Sequence, residues 1–110
     1  MRIIKPSEVV FADEKLETAF NKMSEKDKTK KQIISAIKEI KLNAFCGIQV
    51  PKRLIPREYL LKYKINNLWK YDLPDGWRLI YFVSPQNKVE ILSIILNWPT
   101  HKEYERLFNY

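Results

Sequence analysis

The chain is 110 residues long, 45% hydrophobic and 30% charged, with 20 Lys and Arg against 13 Asp and Glu and a formal charge of +7. That length supports one core and excludes two, the composition excludes a disordered chain, and the basic excess favours a polyanionic partner. The one cysteine, Cys46, excludes an internal disulfide or a thiolate metal cluster, and one His among scattered carboxylates gives no metal-ligand spacing.

No cofactor and no metal is therefore expected, and Cys46 reads as a buried, inert thiol in a reducing compartment. The N-terminus lacks a signal-like apolar run and no segment reaches the length of a membrane span. A cytoplasmic protein with no membrane partner is the expectation, folded as one domain over residues 1–110.

In chain order, Val9-Val10-Phe11 reads as a first strand. Leu16, Ala19, Phe20 and Met23 then recur at helical spacing, which predicts a helix from about Asp13 with those four on its inner face. Ser24 or Asp27 is positioned to cap a second helix, whose stripe is Ile33, Ile34, Ile37 and Ile40 and whose 28–31 side is polar. Two amphipathic helices joined by a short polar turn make a helical hairpin. Residues 43–56 read as irregular, with Gly47, Pro51 and Pro56, and residues 57–64 as one short helical turn carrying Tyr59, Leu60 and Tyr63 on one side. Residues 68–73, 77–84 and 88–97 read as three strands, separated by Pro74-Asp75-Gly76 and by Ser84-Pro85-Gln86-Asn87. The third is nearly continuous hydrophobe, as a central strand is. Thr100 and Glu103 match a capping box that opens a final helix with Tyr104, Leu107 and Phe108 on its apolar side.

The fold class this predicts is α+β: an N-terminal strand and a helical hairpin packed on a small antiparallel sheet, with a short C-terminal helix. The hairpin would cover one face of the sheet and leave the other open, edged by basic residues. Residues 41–70 hold seven Lys and Arg and one acid, whereas residues 71–110 hold four basic and five acidic residues. The charge is concentrated, as a patch would be. Strand alternation puts Trp77, Leu79, Tyr81 and Val83 on one face and Arg78, Ile80, Phe82 and Ser84 on the other. Lys70 and Asp72 share a face of the preceding strand, so Arg78 either lines an open groove or pairs with Asp72 or Asp75 to close the turn.

The runs Leu-Trp-Lys-Tyr-Asp-Leu at 68–73, Gly-Trp-Arg-Leu-Ile-Tyr-Phe-Val at 76–83, Val-Glu-Ile-Leu-Ser-Ile-Ile at 89–95 and His-Lys-Glu-Tyr at 101–104 resemble the C-terminal half of the RelE/ParE toxin superfamily. The family belongs to bacterial and archaeal toxin–antitoxin pairs, and the strand–helix–helix–strands order is similar over most of the chain. Residues 45–67, with their paired prolines, depart from the compact bacterial members and resemble an archaeal variant. The resemblance implies one of two activities. RelE-like members are mRNA interferases that cut mRNA in the ribosomal decoding site, whereas ParE-like members share the fold and poison gyrase. Both are silenced by a cognate antitoxin protein.

Metal-independent RNA cleavage uses the neighbouring 2′-hydroxyl, and needs a base near it, cations around the phosphorus and an acid for the leaving oxygen. By resemblance, Arg78 matches the family arginine that neutralises the scissile phosphate, and Lys70 a second phosphate-binding cation. His101 stands where many members have arginine, and Tyr104 resembles the family's C-terminal tyrosine; either is a base, an acid or a structural side chain. Lys52, Arg53, Lys62 and Lys64 are candidate RNA-backbone contacts or solvated lysines. Asp72 occupies a position where some members have a second lysine. The implied function is a toxin acting as a ribosome-dependent mRNA endoribonuclease. The alternative is a non-catalytic member of the fold that binds nucleic acid or a protein partner.

Overall fold

The computed structural model of the chain describes residues 5–85 and 91–108. Strand β1 (Glu8–Phe11) leads into helices α1 (Glu14–Lys22) and α2 (Lys28–Leu42), a two-residue strand β2 (Ile48–Gln49), and helix α3 (Arg57–Tyr63). Strands β3 (Trp69–Asp72), β4 (Arg78–Pro85) and β5 (Ile91–Asn97) follow, and helix α4 (His101–Phe108) comes last. The sheet order is β1-β5-β4-β3-β2, antiparallel throughout except that β1 joins β5 in parallel. The fold is therefore α+β as expected, on a five-stranded mixed sheet rather than an antiparallel one. Residues 88–90 of the predicted third strand, and residues 86 and 87 of its turn, lie outside the described residues.

Local chemistry sets the helix boundaries. Asp13 accepts the Leu16 N–H at 2.9 Å and caps α1, and Asp27 accepts from Thr29 and Lys30 and caps α2. Phe20 is buried on α1 and Leu16 and Met23 are half-buried, but Ala19 faces solvent. On α2, Ile33, Ala36 and Ile40 are buried outright. Lys30 departs from the polar side expected of residues 28–31. It is only 5% exposed, donates to the Met23 carbonyl and the Glu25 carboxylate, and lies over the Phe20 ring. A lysine stem thus seals the α1–α2 junction and its ammonium keeps two acceptors.

Alternation along β4 builds two cores. Leu79, Tyr81 and Val83 meet α1 and α2 together with Ile95, Leu73 and Ala44. Ile80 and Phe82 point the other way, into Tyr59, Ile65, Leu68, Leu96, Tyr104 and Phe108. The second face is consequently not open. The 50–65 segment, expected to edge a groove, folds over it instead, because Val50, Ile55, Tyr59 and Ile65 need burial as much as the helical hairpin does. Burying Tyr59 pushes its phenol up to about 12.

One buried hydroxyl ties the irregular 43–49 segment to the sheet. Tyr81 Oη donates to the Ala44 carbonyl at 2.9 Å and accepts the Gly47 N–H at 3.1 Å. Gly47 is needed there: a Cβ would sit 2.6 Å from the Lys70 carbonyl oxygen and 2.7 Å from Tyr81 Oη. Replacing Tyr81 by Phe keeps the ring and strands both partners, so Tyr81→Phe is expected to lose about 1–3 kcal/mol. Urea denaturation of the two proteins checks this; an unchanged midpoint would show that water satisfies both groups.

Candidate functional site

The hairpin joining β3 to β4 is closed by Leu73 N–H donating to the Trp77 carbonyl at 2.9 Å. Between them Pro74-Asp75-Gly76 makes a tight turn in which Asp75 and Gly76 both take positive φ, 62° and 81°. Asp72 is directly across from Arg78 in this register, and Lys70 is two residues back on the same face as Asp72. The strand pairing therefore aims two cations and one carboxylate at a single spot. Asp72 Oδ1 lies 3.1 Å from Lys70 Nζ and 3.2 Å from Arg78 Nε. An Arg78 terminal nitrogen also donates to the Gly76 carbonyl.

Helix α4 supplies the floor. The Tyr104 ring, 2% exposed, lies beneath both cations, 4.8 Å from the Arg78 guanidinium carbon and 5.7 Å from Lys70 Nζ, and stacks on Phe108 at 4.3 Å. A ring face carries negative potential, so it holds the two cations side by side more readily than an aliphatic surface would. Arg78 N–H donates to the Pro99 carbonyl at 3.1 Å, which fixes the start of β4 against the approach to α4. The helix is capped as the sequence predicts: Thr100 Oγ1 accepts the Glu103 N–H and Glu103 accepts the Thr100 N–H. Those Thr100 hydrogen bonds hold the Glu103 carboxyl below its usual range.

His101 opens α4 and packs on the turn. A Cβ added to Gly76 would come within 2.8 Å of its Cβ. Its Nε2 lies 2.6 Å from a Glu105 carboxylate oxygen, one helical turn on, and its side chain is half exposed. So the structure brings together Lys70, Arg78 and Tyr104 and sets His101 against the same turn. The Arg78–Asp72 pair that the sequence offered as the alternative to an open groove is the one formed, and Glu105 is a member of the cluster that sequence reasoning did not assign to it. Asp72 was readable from strand alternation and hairpin register. Glu105 was readable from its i, i+4 spacing to His101.

The other candidates lie apart. Lys52 and Arg53 are exposed on a 3-10 turn, and Lys62 and Lys64 are exposed at the end of α3. All four belong to the segment that covers the Tyr104 face of the sheet. Lys62 lies 4.0 Å from Asp13 and over the Tyr63 ring. Cys46 is exposed rather than buried. Partial burial and the Glu39 carboxylate push its thiol up, the reverse of an activated nucleophile. Among the described residues, no three His, Cys, Asp or Glu side chains form a metal-holding group, and no helix is long and apolar enough to cross a membrane. The chain matches no family model, no curated protein and no solved structure.

Gly76→Ala is expected to cost roughly 1–2 kcal/mol from the left-handed backbone alone, with a further loss as His101 is displaced. Urea midpoints check the size, and the His101 ring resonances in an NMR spectrum check that α4 moves. A depressed carboxylate stabilises the fold above its unfolded value and loses that contribution as pH falls through its native one. The gap in stability between wild type and Glu103→Gln should therefore be full at about pH 6 and close as pH falls through the acid range. A gap independent of pH would show that the hydrogen bonds, not the charge, make the cap.

Proposed function

We propose that this protein is the toxin of a RelE-like toxin–antitoxin pair and acts as a metal-independent, ribosome-dependent mRNA endoribonuclease. One observation carries the reading: Lys70, Arg78 and Tyr104, singled out by their resemblance to that family, are packed against one another, with His101 seated on the adjoining turn. In the reaction the 2′-hydroxyl attacks the adjacent phosphorus and the 5′-oxygen leaves. Arg78 and Lys70 neutralise the non-bridging oxygens as negative charge builds there, which is the largest contribution a fixed site makes. His101, seated on the adjoining turn, serves as the proton carrier, released from Glu105 when it acts. Tyr104 holds the two cations in place from below. Lys52, Arg53, Lys62 and Lys64 contact the RNA backbone on the same side of the sheet, and a cognate antitoxin silences the protein in the cytoplasm.

A second reading rests on a specific contact. The Asp72 carboxylate already pairs with both cations, as it would in a non-catalytic member of the fold that binds nucleic acid or a protein partner.

Cleavage of a translated mRNA in a reconstituted translation system separates the two. Wild type should cut the translated mRNA at decoding-site positions, and folded Arg78→Ala should lose at least about a hundredfold in rate. No cutting by the folded wild type would favour the non-catalytic reading.

A further inference from the structure

Asp72 is a poor occupant of the place it fills. A single oxygen, Oδ1, meets both Lys70 Nζ and Arg78 Nε. The Arg78 contact is within ion-pair distance, but it is not aligned as a hydrogen bond, and Nε is buried without a hydrogen-bond acceptor. The cations are held: their side chains are 20% and 17% exposed, pinned by the Tyr104 ring and the Gly76 carbonyl. The carboxylate is 51% exposed and faces solvent. The fixed part of the cluster is positive, and the part free to leave is negative.

We infer that Asp72 is a built-in competitor of the RNA phosphate for Lys70 and Arg78, displaced when the phosphate enters. This inference rests on the RNA reading above. A phosphodiester offers two non-bridging oxygens where Asp72 presents one, so Arg78 Nε gains an aligned acceptor while Lys70 Nζ exchanges the one it has for another. Displacing Asp72 takes energy that one monoanionic phosphodiester supplies poorly. Further phosphate contacts along the chain supply it, as remote binding energy is commonly used. Asp72 therefore sets a threshold: isolated phosphates and short RNAs are turned away, and a long or well-positioned strand is admitted.

The test is binding without chemistry. A fluorescent 2′-O-methyl hexaribonucleotide lacks the reacting hydroxyl, so its affinity is independent of any cleavage. Asp75, at the turn tip, is 73% exposed and pairs with Lys28 at 3.7 Å, so Asp75→Asn adds the same charge outside the site. Anisotropy titrations at low salt should show Asp72→Asn binding about fivefold tighter than wild type, the effect expected of one charge removed about 4 Å away in a water-like dielectric. Asp75→Asn should change affinity less than twofold. The Asp72→Asn gain should vanish in the Asp72→Asn/Arg78→Ala double variant, with circular dichroism showing each variant folded. Equal effects of the two Asp→Asn variants, weaker binding by Asp72→Asn, or no binding by any variant would overturn the inference. Tight binding by Asp72→Asn from a protein that cuts nothing would uphold it and sink the ribonuclease reading alone.

Discussion

Strand β4 is pressed between two hydrophobic layers, and every other element takes its place from that sandwich. Its odd positions meet α1 and α2; its even positions meet α3 and α4. A strand in that position has room for charge only where a layer ends. Arg78 is such a place. The pleat aims it into the row that continues as Ile80 and Phe82, and the row's neighbour there is an aromatic face rather than an aliphatic one. Tyr104 lets a guanidinium stay at the margin of a dry core with its charge balanced on both sides, by the ring below and Asp72 beside it. Removing the second layer would return Arg78 to water and dissolve the cluster.

Much of this arrangement is legible in the sequence because it depends on short-range periodicity. The helical spacing of Phe20, Ile33 and Ile40, the alternation of Leu79, Ile80 and Tyr81, and the Thr100–Glu103 cap are local patterns, and each survives in the fold. What sequence reading misses depends on distant partners. Lys30 looks like one of several surface lysines until α1 supplies the Phe20 ring and the Met23 carbonyl. Residues 43–56 read as irregular and 57–64 as a lone helical turn, yet Val50, Ile55, Tyr59 and Ile65 are enough to close a sheet face. The parallel docking of β1 leaves no local mark at all, since a strand's sequence carries hydrophobicity and not direction.

The candidate cluster divides along the same line. Lys70, Asp72 and Arg78 are brought together by a three-residue turn and a fixed register, so their proximity follows from a stretch of chain short enough to read by eye. Tyr104 and His101 reach them only through the path of β5 and the bend at Trp98 and Pro99, where the Pro99 carbonyl bonds back to Arg78. Opposite charges two residues apart on a strand ordinarily contribute little at a surface. Here the aromatic floor fixes the geometry of the cations, and that makes the identity of their anion consequential.

The contacts that complete this fold are also far apart in time. Ser7 Oγ bonds Ser93 Oγ across 86 residues, and β1 pairs with β5. Loops that long close slowly, because their entropy is lost before any contact rewards it. During synthesis β1 must wait for its β5 partner to emerge, and β4's second wall stays incomplete until α4 follows. The cation pair therefore has no floor while the chain is still being made. A nascent copy carries the charges of the cluster without its geometry, and becomes competent to grip an anion only after the last described helix has docked.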